Sequence, residues 1–532
     1  MQSKIISIQA SINNTCRKIW DKELFFLLFF LFFIIHGEML FNKISWWDDI
    51  SGVLGGAPEF NMPLPHGRWF CLVLEPIFKN GSLPVFNGVI VAACIAVSSL
   101  ILFDMFDIQN KIHKILLGLI LISIPAVTAN LGYMGASGSN FIGILICILG
   151  AYLTCLAIHN SKKITIQYWI GAFLFACSLG EYQCYFSLYL SLCLIFFIYS
   201  IITTPISFKY FYKYFGYYII NIFVGLALYL VILQATLWFT GVKLLSYAHT
   251  DTYGIVPILE YLERLKLSYL LFFDPYICSS ANMFPFQWNG WYKILLIVNV
   301  LLCALVVITF FRTRKKETRF QFYMLILLLP CALNSNVLLY GWKPLHSLHV
   351  YHQFVMFFLP ILLLKSIEGI PNFSLQNIST SFVKTLHVVT VFIMFIFVIL
   401  YVRYDNYCYM LSELRLSQAI SYFNTLSTRI MTLKDYREEY PVVFINEVEK
   451  RSHADTITIR QNSDFPVTNP YGYPFVNSYA ESSRAFIKHW CGFTPEFADA
   501  KKFENNSIVQ SMPRYPDDGS IKIIDNTIVV KF

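Results

Sequence analysis

The residues best suited to chemistry are two adjacent carboxylates, Asp48 and Asp49, in the stretch Trp46-Trp47-Asp48-Asp49-Ile50. An apolar run precedes them and His66-Gly67-Arg68-Trp69 follows. A charge at the bilayer centre costs roughly 3 kcal/mol on insertion scales, so two in succession belong in a loop at the membrane surface. Like-charge repulsion sets such a pair apart, one member taking up a proton more readily than the other. A carboxylate held about 2.6–3.2 Å from a hydroxyl can remove its proton. The competing reading is a solvated acidic loop with no chemistry.

Other groups could assist. Arg68 suits a phosphate, because guanidinium binds it through two parallel N–H groups; a surface arginine snorkelling to headgroups is the plainer alternative. Lys343, His346, His349 and His352 cluster further on, and the spacing of His349 and His352 predicts one shared helical face. No carboxylate accompanies them, so we assign no metal site and take Lys343 and His349 as phosphate contacts. Glu181, Tyr182 and Gln183 interrupt apolar sequence; polar residues at that depth suggest contacts to sugar hydroxyls, or else a helix end meeting water. His36 and Glu38 read as structural. The aromatics of Tyr471-Gly472-Tyr473-Pro474-Phe475 and Trp490 read first as domain core.

The elements that must hold these residues are mostly transmembrane. Of 532 residues, 56% are hydrophobic, 17% aromatic and 14% charged, against about 25% charged in soluble domains. The net charge of +8 lies in short loops between apolar runs, not in a basic groove, which argues against nucleic acid and for the positive-inside rule. We expect about eleven spans: 24–41, 83–103, 115–129, 141–158, 166–180, 184–204, 216–240, 292–311, 320–334, 348–364 and 384–402. The first lacks a small-residue cleavage site and reads as a retained helix. Lys and Arg fall in alternate loops, which puts the N-terminus in the cytoplasm and the C-terminus outside. The outer loops 42–82 and 241–291 are then the long ones. The second holds an amphipathic stretch, Ile255 to Leu267, read either as an interfacial helix or as one packed on the bundle.

From about residue 403 charges become common. Residues 409–433 read as an amphipathic helix, 441–446 as a strand and 520–531 as a hairpin turning near Asp525-Asn526. The chain therefore divides into a transmembrane part, 1–402, and a small exported α+β domain, 403–532. Most of the 13 cysteines sit in apolar segments. Cys408 and Cys491 fall in the polar part, where export would permit a disulfide between them.

In Trp47-Asp48-Asp49 with Gly67-Arg68, in Gly180-Glu181-Tyr182-Gln183, and in the run Met512 to Ser520 closing on Val529-Val530-Lys531-Phe532, the chain resembles a GT-C-type glycosyltransferase. Within that class it is similar to the Gtr-type serotype-converting glucosyltransferases of bacterial O-antigen. The resemblance implies an inner-membrane enzyme that takes glucose from undecaprenyl-phosphate glucose and passes it, with inversion, to an O-antigen sugar at the periplasmic face. It implies a base from the first outer loop, Asp48 or Asp49; by their own chemistry we place Arg68, Lys343 and His349 at the donor phosphate and Glu181, Tyr182, Gln183, Trp47 and His66 at the sugar or acceptor. No cofactor is expected; membrane lipid is a partner. Two other classes compete: another polytopic envelope enzyme, such as an O-antigen polymerase or a transferase to lipid or protein, and a polysaccharide flippase. The second predicts paired inverted halves, which the sequence does not display.

Overall fold

The computed structural model describes residues 19–42, 63–78, 83–160, 164–246, 256–273, 316–340, 347–368, 380–445 and 480–532. Trp47, Asp48, Asp49, Lys343, His346, the expected span 292–311 and the aromatics 471–475 lie outside the described residues. The helices are α1 (Lys22–Phe41), α2 (Cys71–Phe78), α3 (Pro84–Met105), α4 (Lys111–Ser123), α5 (Pro125–Gly132), α6 (Met134–Asn160), α7 (Ile166–Glu181) and α8 (Tyr185–Thr203). Then come α9 (Phe208–Thr240), α10 (Ile258–Phe273), α11 (Lys316–Leu333), α12 (Ser335–Tyr340), α13 (Val355–Glu368), α14 (Thr380–Met431), α15 (Ala480–Cys491) and α16 (Ser507–Ser511). The strands are β1 (Val442–Ile445), β2 (Ile521–Ile524) and β3 (Thr527–Lys531).

Local chemistry sets the helix ends. The Asp21 side chain accepts from Leu24 N at 3.1 Å to start α1, and Asn110 does the same for Ile112 N and His113 N at α4, each satisfying N–H groups that have no partner inside the helix. Proline opens α3 and α5 at the position where its missing N–H costs nothing. The residue before Pro125 is extended, Ile124 ψ 134°, because proline disfavours a helical neighbour. The expected span 115–129 is therefore two helices meeting at a bend. Gly241, at φ 69°, stops α9.

Among the described residues, seven helical stretches are long and apolar enough to cross a membrane: α1, α3, α4 with α5, α6, α8, α9 and α14. Helices also cover the expected spans 166–180 (α7) and 320–334 (α11). The expected span 348–364 is a 3-10 segment, Ser347–Phe354, leading into α13. On α1, Leu24, Leu28, Phe32, Ile35 and Met39 face the core, while Phe26, Phe30 and Ile34 stay exposed, as lipid contact demands. Trp238 and Phe239 are exposed at the end of α9, where aromatic rings meet headgroups.

The amphipathic stretch within 241–291 becomes α10, which packs on α11 and α12. Arg264 is buried and donates to Leu338 O at 2.8 Å and Glu260 Oε1 at 2.6 Å, while Ile258, Leu259 and Leu262 remain exposed. The reading as a helix packed on the bundle holds for its Arg264 face.

The helix expected at 409–433 is no separate element. It continues the last span as α14, 52 residues without a break, or about 78 Å at 1.5 Å per residue. Residues 403–408 contain no glycine or proline to stop it. At its far end Phe423, Leu426 and Ile430 form a small core with Phe486, Ile487, Val442, Ile528 and Val530. The sheet order is β1-β3-β2, with β1 parallel and β2 antiparallel to β3. Asp525 and Asn526, at φ 50° and 56°, make the two-residue hairpin turn. The disulfide that export would permit between Cys408 and Cys491 is not formed; neither sulfur is bonded to another cysteine. Cys491 packs in the same core as Phe423, 15 residues along α14 from Cys408 and so about 22 Å away, against a bridging limit of about 7 Å between Cα atoms.

Helices α6 and α7 approach closely through glycine. A Cβ on Gly171 would stand 2.1 Å from Thr154 Oγ1 and 2.8 Å from Gly150 O. Helix association in lipid relies on such close backbone contact. Gly171→Leu is expected to destabilise the protein by about 1–3 kcal/mol or more, seen as a lower thermal unfolding midpoint of the detergent-solubilised protein beside an unchanged Gly216→Ala control, whose Cβ would meet nothing within 4 Å.

Candidate functional site

The end of the first long loop is a compact turn. His66 N and Arg68 N donate to Pro63 O at 3.1 and 3.0 Å, and Gly67 N donates to Leu64 O at 2.8 Å. Gly67 sits at φ 76°, which favours glycine. This turn is bonded to the place where α7 ends and α8 begins. Phe70 N donates to Gly180 O at 2.9 Å. Gln183 Nε2 donates to His66 O at 2.7 Å and to Tyr229 OH at 3.1 Å, and Tyr229 OH donates to Gly67 O at 3.0 Å. Leu245 N closes the turn from the other side, donating to Pro65 O at 2.9 Å. Trp69 lies flush on Gly180, where a Cβ would come within 2.5 Å of the indole.

This docking brings together residues far apart in sequence. The Arg68 guanidinium lies 4.0 Å from the centroid of the Tyr182 ring, a cation–π contact. The Tyr182 hydroxyl is hydrogen-bonded to His349 Nε2, the two rings nearly perpendicular. Asn336 Nδ2 donates to His349 O at 3.1 Å, and Asn336 N donates to Ser187 Oγ at 2.9 Å. Glu181 is 1% exposed. Its backbone oxygen accepts from Cys71 Sγ at 3.6 Å, and Gly143 leaves room for its Cγ. Among the described residues Glu181 Oε2 and Asn336 Oδ1 are buried acceptors without a hydrogen-bond partner, a costly state that a ligand hydroxyl would relieve.

Of the residues singled out from sequence, His66, Arg68, Glu181, Tyr182, Gln183 and His349 converge here. Trp47, Asp48, Asp49 and Lys343 are outside the described residues. The expectation that His349 and His352 share a helical face is corrected. They lie in a 3-10 segment that bends at Val350; His349 turns to Tyr182, while His352 bonds Leu333 O. No three His, Cys, Asp or Glu side chains converge in a metal-binding group among the described residues. Sequence reasoning missed Asn336, Ser187 and Tyr229. Asn334-Ser335-Asn336, three polar residues inside an apolar stretch, was a usable signal. Tyr229 gave none, lying in an aromatic-rich span.

Residues 37–401 match the model of the family described as Glucosyl transferase GtrII. The chain belongs to that family. The match encloses the docked turn, the α7–α8 junction and the segment carrying His349. No curated protein and no solved structure matches the chain. Membership in the GtrII family makes the protein a glucosyltransferase, acting between a sugar donor and an acceptor, and its apolar helices make it a membrane one.

Two predictions follow from the geometry of this GtrII-family site. Gly180→Ala forces Trp69 off α7 and shifts the turn; glucosyl transfer should drop while the protein still reaches the membrane. Tyr182→Phe keeps the ring beneath Arg68 and should retain more transfer than Tyr182→Ala, measured at equal protein level.

His66 is held below the ordinary histidine value, first by burial and then by the Arg68 charge. Its neutral form is the native one. The stability it lends is complete above the unfolded value near pH 6.5 and is lost as pH falls through the lowered native value. His66→Gln should flatten that acid-side loss when thermal unfolding is followed from about pH 7 to about pH 5.

Proposed function

We propose that the protein transfers glucose from undecaprenyl-phosphate glucose to a hydroxyl of an O-antigen repeat, at the periplasmic face of a bacterial inner membrane. In this reading the bundle has eleven spans, the N-terminus is cytoplasmic, and the part from about residue 403 is the periplasmic domain. The observation that carries the reading is the convergence of Arg68, Tyr182 and His349, a cation and a nitrogen base held together by one aromatic ring.

The chemistry divides among these groups. Asp48 or Asp49 takes the proton of the acceptor hydroxyl as its oxygen attacks the anomeric carbon. The bond from that carbon to the phosphate oxygen breaks on the opposite face, so configuration inverts. Negative charge grows on the departing undecaprenyl phosphate, where Arg68, Lys343 and His349 stabilise it. Glu181 and Asn336 supply acceptors to sugar hydroxyls, and Gln183, Tyr182, His66 and Trp47 frame the acceptor. Catalysis needs no cofactor in this scheme. The docked turn supports it because the same segment that carries Arg68 leads back to the aspartates.

Replacement of the true base, in either Asp48→Asn or Asp49→Asn, should cut transfer about 10²–10⁴-fold. Arg68→Lys keeps the charge but loses the paired N–H geometry and should also be impaired. Mass and linkage analysis of surface polysaccharide from cells expressing each variant at matched level reads both. Full glucosylation by both asparagine variants would remove the aspartates from the mechanism.

A further inference from the structure

One fully buried carboxylate has no part in the transfer chemistry: Asp405 on α14. Its Oδ1 lies 2.6 Å from Thr128 Oγ1 on α5. Thr128 Oγ1 lies 3.0 Å from Tyr409 OH, and Tyr409 OH lies 2.6 Å from His36 Nδ1 on α1. His36 Nε2 is 3.0 Å from the carbonyl oxygen of Ile122. Among the described residues Asp405 Oδ2 meets no hydrogen-bond donor.

Hydrogen counting along this chain leaves little freedom. Ile122 O can only accept, so His36 Nε2 carries a hydrogen. In a neutral imidazole Nδ1 then accepts, and its donor is the Tyr409 hydroxyl. That uses the single tyrosine hydrogen, so Tyr409 OH must accept from Thr128. Thr128 has thereby spent its own hydrogen, and the remaining contact needs a hydrogen on Asp405. Moving that proton to His36 reverses all three bonds and leaves their number unchanged. Every fully bonded arrangement therefore places one proton on the pair Asp405 and His36. The neutral arrangement avoids a buried carboxylate whose second oxygen lacks a donor.

We propose that Asp405 is a neutral carboxylic acid sharing one proton with His36 through Thr128 and Tyr409. We further propose that this network latches α1 to α14 and so fixes where α1 ends, at Phe41. Helix α1 ends at Phe41, seven residues before Asp48, and α14 continues to the C-terminal sheet. Asp405 is a positioning residue. His36, Asp405 and Tyr409 all lie outside residues 37–401, which match the family. Glu38 on α1 and Glu413 on α14 lie close to one another; Tyr401, Arg403, Tyr404, Tyr407 and Cys408 surround Asp405 on its own helix; and the 3-10 segment packed on α5 carries Tyr351 and His352. Helix α5 carries no titratable side chain. Helix α4 meets α14 through His113, 3.0 Å from His387, and Lys365 of α13 is tied to Asp107. Helix α15 joins α14 near Phe423, about 27 Å further along.

Infrared spectroscopy of the full-length protein in detergent tests the proton directly. The parent should show the C=O stretch of a protonated carboxylic acid at neutral pH, and Asp405→Asn should lack it. Asparagine can donate from its amide to Thr128 as the acid does. Asp405→Asn should therefore keep its thermal unfolding midpoint and keep glucosylation within about threefold, whereas Asp405→Leu and Thr128→Val should lose about tenfold or more at matched level, the effect of a buried group left unpaired. Should the leucine variant not reach the membrane, the asparagine variant and the infrared band decide. Absence of the band, or an Asp405→Asn as damaged as Asp405→Leu, would overturn the proposal. The positioning role rests on the transferase reading, but the band and the unfolding midpoint do not depend on which sugar moves.

Discussion

The site depends on the seating of one turn, residues 63–70, against the end of α7. Four hydrogen bonds to backbone oxygens hold it: Phe70 to Gly180, Gln183 to His66, Tyr229 to Gly67 and Leu245 to Pro65. Each satisfies a polar backbone group at the edge of a bundle whose lipid-facing surface offers no partners. Without that seating Arg68 would have no fixed relation to Tyr182, and Tyr182 alone would not bring a cation to His349. Two absent side chains, at Gly67 and Gly180, make the seating physically available.

Polar groups inside the bundle follow the same constraint. Asn221 donates to Tyr168 O at 2.9 Å and accepts from Tyr189 OH at 2.6 Å, tying three helices. Ser187 and Ser335 meet at 2.7 Å across α8 and α12. These groups are paired because an unpaired one is expensive at that depth. Several buried polar atoms among the described residues lack a partner, and two of them, Glu181 Oε2 and Asn336 Oδ1, border the cluster at the docked turn. In a glucosyltransferase, buried acceptors without donors are reasonable places for sugar hydroxyls.

Helix α14 gives the molecule a mechanical axis. It begins in the bundle, carries Asp405 and Tyr409 against α1 and α5, and ends inside the core of the C-terminal sheet. Arg429 near its end donates to Pro516 O at 2.6 Å and lies 5.3 Å from the Tyr515 ring. That contact recruits the Met512 to Ser520 run singled out from sequence. One continuous helix thus touches both the first helix of the bundle and the core of the C-terminal sheet.

Much was legible in the sequence because bilayer chemistry writes plainly. Apolar length marked the helices, and alternation with a turn pair marked the hairpin at Asp525-Asn526. Polar residues in apolar surroundings marked Glu181, Tyr182 and Gln183. Sequence could not show that α14 runs unbroken past residue 402, since helix continuity there depends on the absence of a stop signal and on packing along its whole length. It could not separate His349 from His352, because equal spacing gives one face only in a regular helix. Nor could it join Arg68 to Tyr182, or Asp405 to His36. Composition and periodicity marked which segments form long apolar helices, through the cost of exposing polar backbone to lipid. Which polar side chains meet inside the bundle was decided by helix packing, because contacts between residues hundreds of positions apart leave no trace in local pattern.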